Sequence, residues 1–209
     1  MKTMTATFEI GWRNLETSGL TRRGAEWSAA LTRARSDGHV FGRAALEQTQ
    51  QGRLSRVTFG IHRSRAGRKL KLEFGVAQLK GAAVEPSAKF EYSDDTKLGR
   101  LTVLASRDFV GSTDTGETRI GSTIGFDLTR NIDTRSKVKL SAAFARTNAT
   151  AQTEVRSSGY LSASFHRKIK KDWGWTVGAS RRTVRSAASS SVGSNAIFFN
   201  FERSFFGGL

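Results

Sequence analysis

The sequence predicts an all-β protein: an antiparallel up-and-down transmembrane β-barrel of about twelve strands. Three observations predict this fold. Apolar and polar residues alternate along most of the chain, the alternating segments are long, and the connections differ in length between the two ends of the sheet. Because successive side chains of a strand point to opposite faces, alternation with period two indicates strands with one apolar and one polar face.

The alternation runs from the first segment to the last. "TATFEIGWR" places Phe8, Ile10 and Trp12 on one face, and "AIFFNFER" near the C-terminus does the same with Ile197 and Phe199. The segment "GAEWSAALTRAR" also has apolar residues at helical spacing, and we assign it to a strand because both neighbouring segments alternate. A tilted transmembrane strand needs about 9–11 residues, and most of the predicted strands are that long or longer. They span residues 4–13, 24–35, 38–49, 53–64, 68–79, 86–94, 97–109, 117–130, 135–148, 155–168, 171–185 and 193–206.

Apart from "QQGR" after the third strand, the connections after odd-numbered strands are longer than those after even-numbered strands. The longer ones, such as "NLETSGLTRR" and "RSAASSSVG", are rich in Gly, Ser and Thr, whereas "SDGH" and "SDDTK" are short and polar. Long loops at one rim and short turns at the other are typical of transmembrane β-barrels. We therefore expect the apolar face to contact lipid.

Composition restricts the class of protein further. The net charge is +16, from 34 Lys and Arg against 18 Asp and Glu, and the basic residues are spread along the whole chain. Nucleic-acid-binding proteins tend to concentrate their charge in one patch, so nucleic acid is not expected as a partner. A soluble basic β protein that binds nucleic acid stays as a second alternative. The chain has no cysteine, which excludes disulfides and Cys-ligated metals; no cofactor or metal is expected.

The whole chain, residues 1–209, is expected to form a single barrel domain. The N-terminal segment "MKTMTATFEIGW" has no apolar core of the kind found in signal peptides. We therefore expect either a stand-alone barrel whose signal peptide has been removed or the membrane module of a longer precursor.

Aromatic residues are predicted near both edges of the apolar band, where their rings suit the membrane–water interface. The candidates for this aromatic girdle are Trp12, Trp27, Phe109 and Tyr160 near the long-loop rim, and Tyr92, Trp173 and Phe205 near the short-turn rim.

If the apolar face contacts lipid, the polar face lines the lumen. Its charges are nearly balanced, which leaves two interpretations: an ion-pair network that braces the wall, or a narrow polar conduit whose cations guide anions. Glycines on this face, such as Gly60 and Gly178, leave room for water or mark bends. The pore-lining candidates are the basic residues Arg13, Arg43, Arg56, Lys71, Lys89, Arg100, Arg119 and Lys139, and the acidic residues Glu9, Glu47, Glu73, Glu91 and Glu202.

Basic residues also cluster beside the short turns, and this rim is expected to attract an acidic partner, anionic solutes or anionic lipid. Enzymatic activity is not expected. A barrel lipase would need a Ser–His pair with an orienting polar residue facing lipid, and His62 and His166 fall on the polar face instead.

With these features the chain resembles Gram-negative outer-membrane β-barrel proteins. The sharpest local match is "AIFFNFERSF", which is similar to the aromatic-ended last strand of that class, although "FGGL" continues past Phe205. In size and strand number the chain is similar to the small oligogalacturonate-specific porins, and its tail resembles the ends of porin-like proteins found near bacterial polysaccharide genes. The resemblance implies a location in the cell outer membrane, contact with its lipid and lipopolysaccharide, and recognition of the last strand by the barrel-assembly machinery.

The predicted function is an outer-membrane channel or porin for passive passage of small hydrophilic solutes, with a mild preference for anions and with acidic oligosaccharides among the candidates. The alternative is the barrel module of a machine for polysaccharide or protein export or for surface assembly.

Overall fold

The computed structural model describes residues 3–17, 20–49, 51–111, 118–149, 155–170, 173–186 and 189–203. Twelve strands pair antiparallel in chain order to form one sheet. The predicted fold class is therefore confirmed: all-β, with twelve up-and-down strands. The strands are β1 Met4–Thr17, β2 Leu20–Arg35, β3 Gly38–Thr49, β4 Gly52–Arg65, β5 Arg68–Leu79, β6 Val84–Thr96, β7 Gly99–Gly111, β8 Thr118–Asn131, β9 Ser136–Ala149, β10 Val155–Lys170, β11 Trp173–Ser186 and β12 Ser189–Arg203.

The strand register collects most of the apolar residues on one face of the sheet, which we call the outer face. Phe59 lies opposite Phe74, and Ile61 lies opposite Leu72. No second layer of the described chain covers this face: the exposed fractions are 68% for Phe8, 63% for Phe59 and 87% for Ile197. A soluble sandwich buries its apolar faces against each other, and this sheet does not.

The sheet is strongly curved. Arg56 on β4 lies 3.2 Å from Asp108 on β7, although these strands are three positions apart in the sheet. In a flat sheet the backbones of such strands would be about 14 Å apart. The contact therefore requires the sheet to curl around its polar face, the inner face, and the enclosed space is the lumen.

The two edges of the sheet are formed by β1 and β12. Among the described residues, no hydrogen-bonded pair joins them, and the described side chains of both strands are exposed on the inner as well as the outer face. The predicted closing pair is thus not present in the described part of the chain, and closure of the barrel stays a prediction.

The predicted contrast between long loops and short turns is weaker than expected. Where "NLETSGLTRR" was predicted as a loop, β1 continues to Thr17 and β2 begins at Leu20, with Asn14 opposite Arg23. In the same way β12 begins at Ser189 rather than at residue 193. Antiparallel pairing continues there without an apolar face because the backbone ladder does not depend on it. The predicted loops over 112–117 and 150–154 lie outside the described residues.

A two-residue tight turn and a longer turn illustrate the short-turn rim. Asp133, between β8 and β9, accepts hydrogen bonds from the backbone N–H groups of Arg135, at 2.6 Å, and Ser136, at 2.7 Å. The Arg135 hydrogen bond is the main reason that the pKa of Asp133 lies below its ordinary value. Between β4 and β5, Ala66 and Gly67 both adopt positive φ, as in the turns that suit the twist of a hairpin. No helix in the described residues is long and apolar enough to cross a membrane.

Candidate functional site

The register places every pore-lining candidate on the inner face. Glu73, for example, lies opposite Lys89 and Gly60, whereas its sequence neighbours Leu72 and Phe74 are on the outer face. The other candidates on the inner face are Glu9, Arg13, Arg43, Glu47, Arg56, Lys71, Glu91, Arg100, Arg119, Lys139 and Glu202. Whether they line a conducting pore stays a prediction.

Most inner-face carboxylates of β2–β7 contact a basic group. Arg13 Nε lies 3.2 Å from Glu26 Oε1, and Lys71 Nζ lies 3.1 Å from Glu91 Oε2. Arg56 contacts two acids, Asp108 at 3.2 Å and Glu47 at 3.9 Å, so that it links β3, β4 and β7. These contacts form part of the predicted ion-pair network.

Several inner-face cations have no carboxylate within ion-pairing distance among the described residues. Arg43 and Lys89 both face a cavity of about 450 Å³ inside the curved sheet. Hydroxyl groups and aromatic rings also line this cavity, from Thr58, Ser87, Ser106, Phe41 and His62. Three carboxylates, of Glu47, Glu73 and Asp108, face it as well, together with Arg56. The three cations therefore balance the three acids in formal charge, and Arg43 and Lys89 are the two cations without an ion-pair partner among the described residues.

Two histidine rings pack edge to face in the same region. The His39 and His62 rings lie with centroids 4.7 Å apart, and His62 also contacts the ring of Phe41 at 5.1 Å. His62 Nε2 lies 2.9 Å from Glu73 Oε1. The two histidines and Phe41 narrow the lumen near the short-turn rim. His39 of β3 lies opposite His62 of β4, and this proximity depends on the strand register.

The end of the β7–β8 hairpin lies against the inner face. Arg107 and Phe109 share the parity of the outer-face residue Val103, yet Arg107 Nη2 lies 3.0 Å from Glu85 Oε2, and Phe109 packs with Leu54 and Leu79 of the inner wall. The pairing of β6 with β7 ends at Ala88 and Arg107. The end of the β7–β8 hairpin that follows Arg107 is therefore free to bend towards the lumen. The Arg56–Asp108 ion pair holds the same hairpin, and sequence alternation gave no sign of either contact.

Two of the girdle residues do not lie where the sequence predicted. Phe109 is only 7% exposed because it packs inside the curved sheet. Tyr160 lies on the inner face, since its neighbour Leu161 is opposite Ala142 on the outer face. Trp12, Trp27, Tyr92 and Trp173 are on the outer face as expected, with Trp173 beneath the Arg203 guanidinium at 4.8 Å. Phe205 lies outside the described residues.

Large apolar side chains cover inner-face glycines. Phe41 lies directly opposite Gly60, and a methyl group at Gly60 would be 2.5 Å from two of its ring carbons. Phe198 covers Gly178 in the same way. The expectation that these glycines leave room for water is therefore wrong at both positions, because the opposite strand fills the space.

No protein-family model and no curated protein matches the chain. Solved structures do match, and two of them are outer membrane proteins of one organism. One is OmpTdeltaL8, a loop L8 deletion mutant of OmpT, an outer membrane protein of Vibrio cholerae; it is 10% identical, with a TM-score of 0.48, over 97% of this chain and 89% of that one. The other is in-vitro folded OmpT of the same organism, 9% identical with a TM-score of 0.48, over 97% and 81% of the two chains. The sequence predicts the same location, the outer membrane, for the present chain.

One expectation is corrected here. The sequence interpretation held that the chain is not an enzyme, and that exclusion does not stand, because the structure brings a hydroxyl and a carboxylate to a histidine. His166 Nδ1 lies 3.0 Å from the Thr176 hydroxyl and 3.5 Å from Glu202 Oε1. A hydroxyl, an imidazole and a carboxylate thus meet on the inner face. At this identity and TM-score the match to OmpT assigns no activity to the chain.

Proposed function

We propose that the chain is an outer-membrane β-barrel protein whose narrow lumen passes small hydrophilic solutes and favours anions. The membrane location is supported by the outer face. Its apolar side chains are exposed on strand after strand, from Phe8 to Phe199, and a surface of this extent is stable only in contact with lipid or another apolar partner.

The pairing of inner-face charges carries the proposed anion preference. Glu26, Glu47 and Glu91 are each engaged by a cation, whereas Arg43 and Lys89 face the cavity without a carboxylate partner among the described residues. Paired acids repel anions weakly, and unpaired cations attract them. The hairpin end held by Arg56 reduces the cross-section, which explains why we propose a narrow path.

Planar-bilayer recording tests this proposal. The purified barrel should give small conductance steps, with a reversal potential that indicates chloride over potassium under a salt gradient and moves further that way at low ionic strength. The variant Arg43→Gln/Lys89→Gln should reduce the anion-to-cation permeability ratio by roughly half or more.

The control is Lys80→Gln/Lys97→Gln, which removes the same charge from the exposed turns beside β5 and β7. It should leave the ratio close to that of the unmodified chain. Stable insertion without conductance would overturn the channel proposal, and an equal loss of selectivity in both variants would remove the lumen from the explanation.

A further inference from the structure

Exposed arginines border the outer face at both ends of the apolar band. On β2 the outer-face series runs from Arg23 through Trp27 and Leu31 to Arg33. The arginines on this face beside the short turns form what we call the short-turn collar: Arg33, Arg35, Arg63, Arg65, Arg68, Arg130, Arg167 and Arg203. Those near the opposite rim form the long-loop collar: Arg23, Arg53, Arg146, Arg181 and Arg185.

Most of these guanidinium groups have no acidic partner. In the short-turn collar Arg63 lies 3.5 Å from Asp37 and Arg68 lies 3.4 Å from Asp94. Within the described residues no carboxylate lies within ion-pairing distance of Arg33, Arg35, Arg65, Arg130 or Arg167, nor of the long-loop collar. A row of exposed, unneutralised cations next to an apolar surface favours a partner that is both apolar and anionic.

Lysine is almost confined to the inner face, whereas arginine lies on both faces. Among the described strands, Lys170 is opposite Trp173 of the outer face, and the register assigns the other lysines to the inner face: Lys69, Lys71, Lys89, Lys137, Lys139 and Lys168. The remaining outer-face cations are arginines. The planar guanidinium can donate two parallel hydrogen bonds to a phosphate, and the ammonium acts as a point charge. The predominance of arginine among the outer-face cations therefore favours phosphate as the group that the outer face meets.

The spacing of the two collars matches a bilayer. Arg23 and Arg33 are ten residues apart on the same face of β2, and so are Arg53 and Arg63 on β4. Ten residues of strand span about 33 Å, and a strand tilted by about 40° then rises about 25 Å, the usual height of the apolar band of a transmembrane barrel.

We infer that the two collars bind the phosphate groups of anionic membrane lipids, one collar in each leaflet. The chain then holds a shell of such lipids around the apolar band and is fixed at one depth in the membrane. This inference rests on the membrane location proposed above, and it adds a binding surface and its ligand chemistry.

Lipid retention tests the inference. The protein is reconstituted into vesicles of phosphatidylcholine with phosphatidylglycerol in equal parts, extracted in mild detergent, and the lipids that remain bound are counted by native mass spectrometry. The unmodified chain should retain phosphatidylglycerol over phosphatidylcholine by at least about fivefold. Replacing Arg33, Arg35, Arg65, Arg130 and Arg167 by Gln should lower the ratio by about half, since the long-loop collar stays. Replacing Arg23, Arg53, Arg146, Arg181 and Arg185 by Gln as well should bring the ratio close to one, and replacing all ten by Lys should give an intermediate ratio.

The matched control removes the same charge from the inner face, with Lys69, Lys89, Arg100, Lys137 and Lys139 replaced by Gln. It should keep the lipid preference, and heat-dependent gel migration should show that each variant is folded. An unmodified chain without preference, or a Gln variant that keeps it, would overturn the inference alone. Failure to insert into vesicles of either lipid would instead overturn the membrane location.

Discussion

Arg56 has the most consequential contacts of any single residue described. Its guanidinium joins Glu47 and Asp108, and its buried Nε has no hydrogen-bond partner. We predict that Arg56→Met releases the end of the β7–β8 hairpin, raises single-channel conductance and lowers the free energy of unfolding by about 1–3 kcal/mol, since two acids lose a charged partner. Bilayer recording and urea unfolding in detergent measure the two effects.

The double variant Arg56→Met/Asp108→Asn distinguishes the contribution of the Arg56–Asp108 ion pair to stability from the contribution of side-chain packing. Asparagine leaves no unpaired charge beside the hairpin, so that part of the lost stability should return while the conductance stays high. If the double variant is as unstable as the sum of the two single variants, the pair is not coupled, and the role given to Arg56 is wrong.

At the scale of the strands, aromatic rings that pack over glycines of the neighbouring strand stabilise the pairing of the two strands. Phe41 occupies the space above Gly60, and a new methyl group would have to displace the ring or the strand. We predict that Gly60→Ala lowers the free energy of unfolding by about 1–3 kcal/mol through overpacking, as measured by urea unfolding in detergent.

Gly11→Ala is the matched control for this prediction. It also lies in a strand, on β1, and nothing lies within 4 Å of a methyl group added there. Because alanine restricts the unfolded chain more than glycine does, this variant should be neutral or slightly stabilising. Equal destabilisation by both substitutions would show that the ring above Gly60 has no part in the effect.

For the molecule as a whole, the edges of β1 and β12 are unpaired in the described part of the chain, and a membrane requires that such edges be paired. Each unsatisfied backbone group in hydrocarbon costs several kcal/mol, so we predict that the two strands pair directly once the chain is in a bilayer. The chain has no cysteine, which allows a clean test: Gly11→Cys combined in turn with Ser194→Cys, Ala196→Cys or Phe198→Cys.

At least one of these pairs should form a disulfide readily in membranes, because a bridge needs Cα atoms within about 7 Å of each other. The same pairs should cross-link poorly in unfolded chains in urea. Absence of cross-linking across the whole series, in a chain that migrates as folded, would contradict closure by these two strands.

The strands and their faces could be predicted because alternation is local information. The polar neighbours of Ile10 and Phe199 in the sequence are enough to assign both residues to the apolar face. The two-residue turns then determine the register of the strands that they join. Tyr160 could have been placed correctly by the same rule, since Leu161 and Ala163 already assign it to the inner face. The distance of a ring from the rim does not determine the face on which it lies.

The site could be predicted only in part, because its main contacts join strands that are not neighbours. Asp108 approaches Arg56 because the sheet curves and because β7 separates from β6 after the Ala88–Arg107 pair. The alternation of apolar and polar residues predicts neither property. The rings of Phe41 and Phe198 gave an available signal, since both are apolar residues on the polar face. The cross-strand register was needed to show that each covers a glycine.

The up-and-down order of the sheet makes the chain a series of interchangeable hairpins. Every described pairing joins strands that follow one another in sequence, so that duplicating or deleting one hairpin changes the register of no remaining pair. The diameter of a barrel grows with the number of its strands. A family of pores of graded width can therefore descend from one such chain by steps of two strands, with the apolar band and its flanking arginines inherited unchanged.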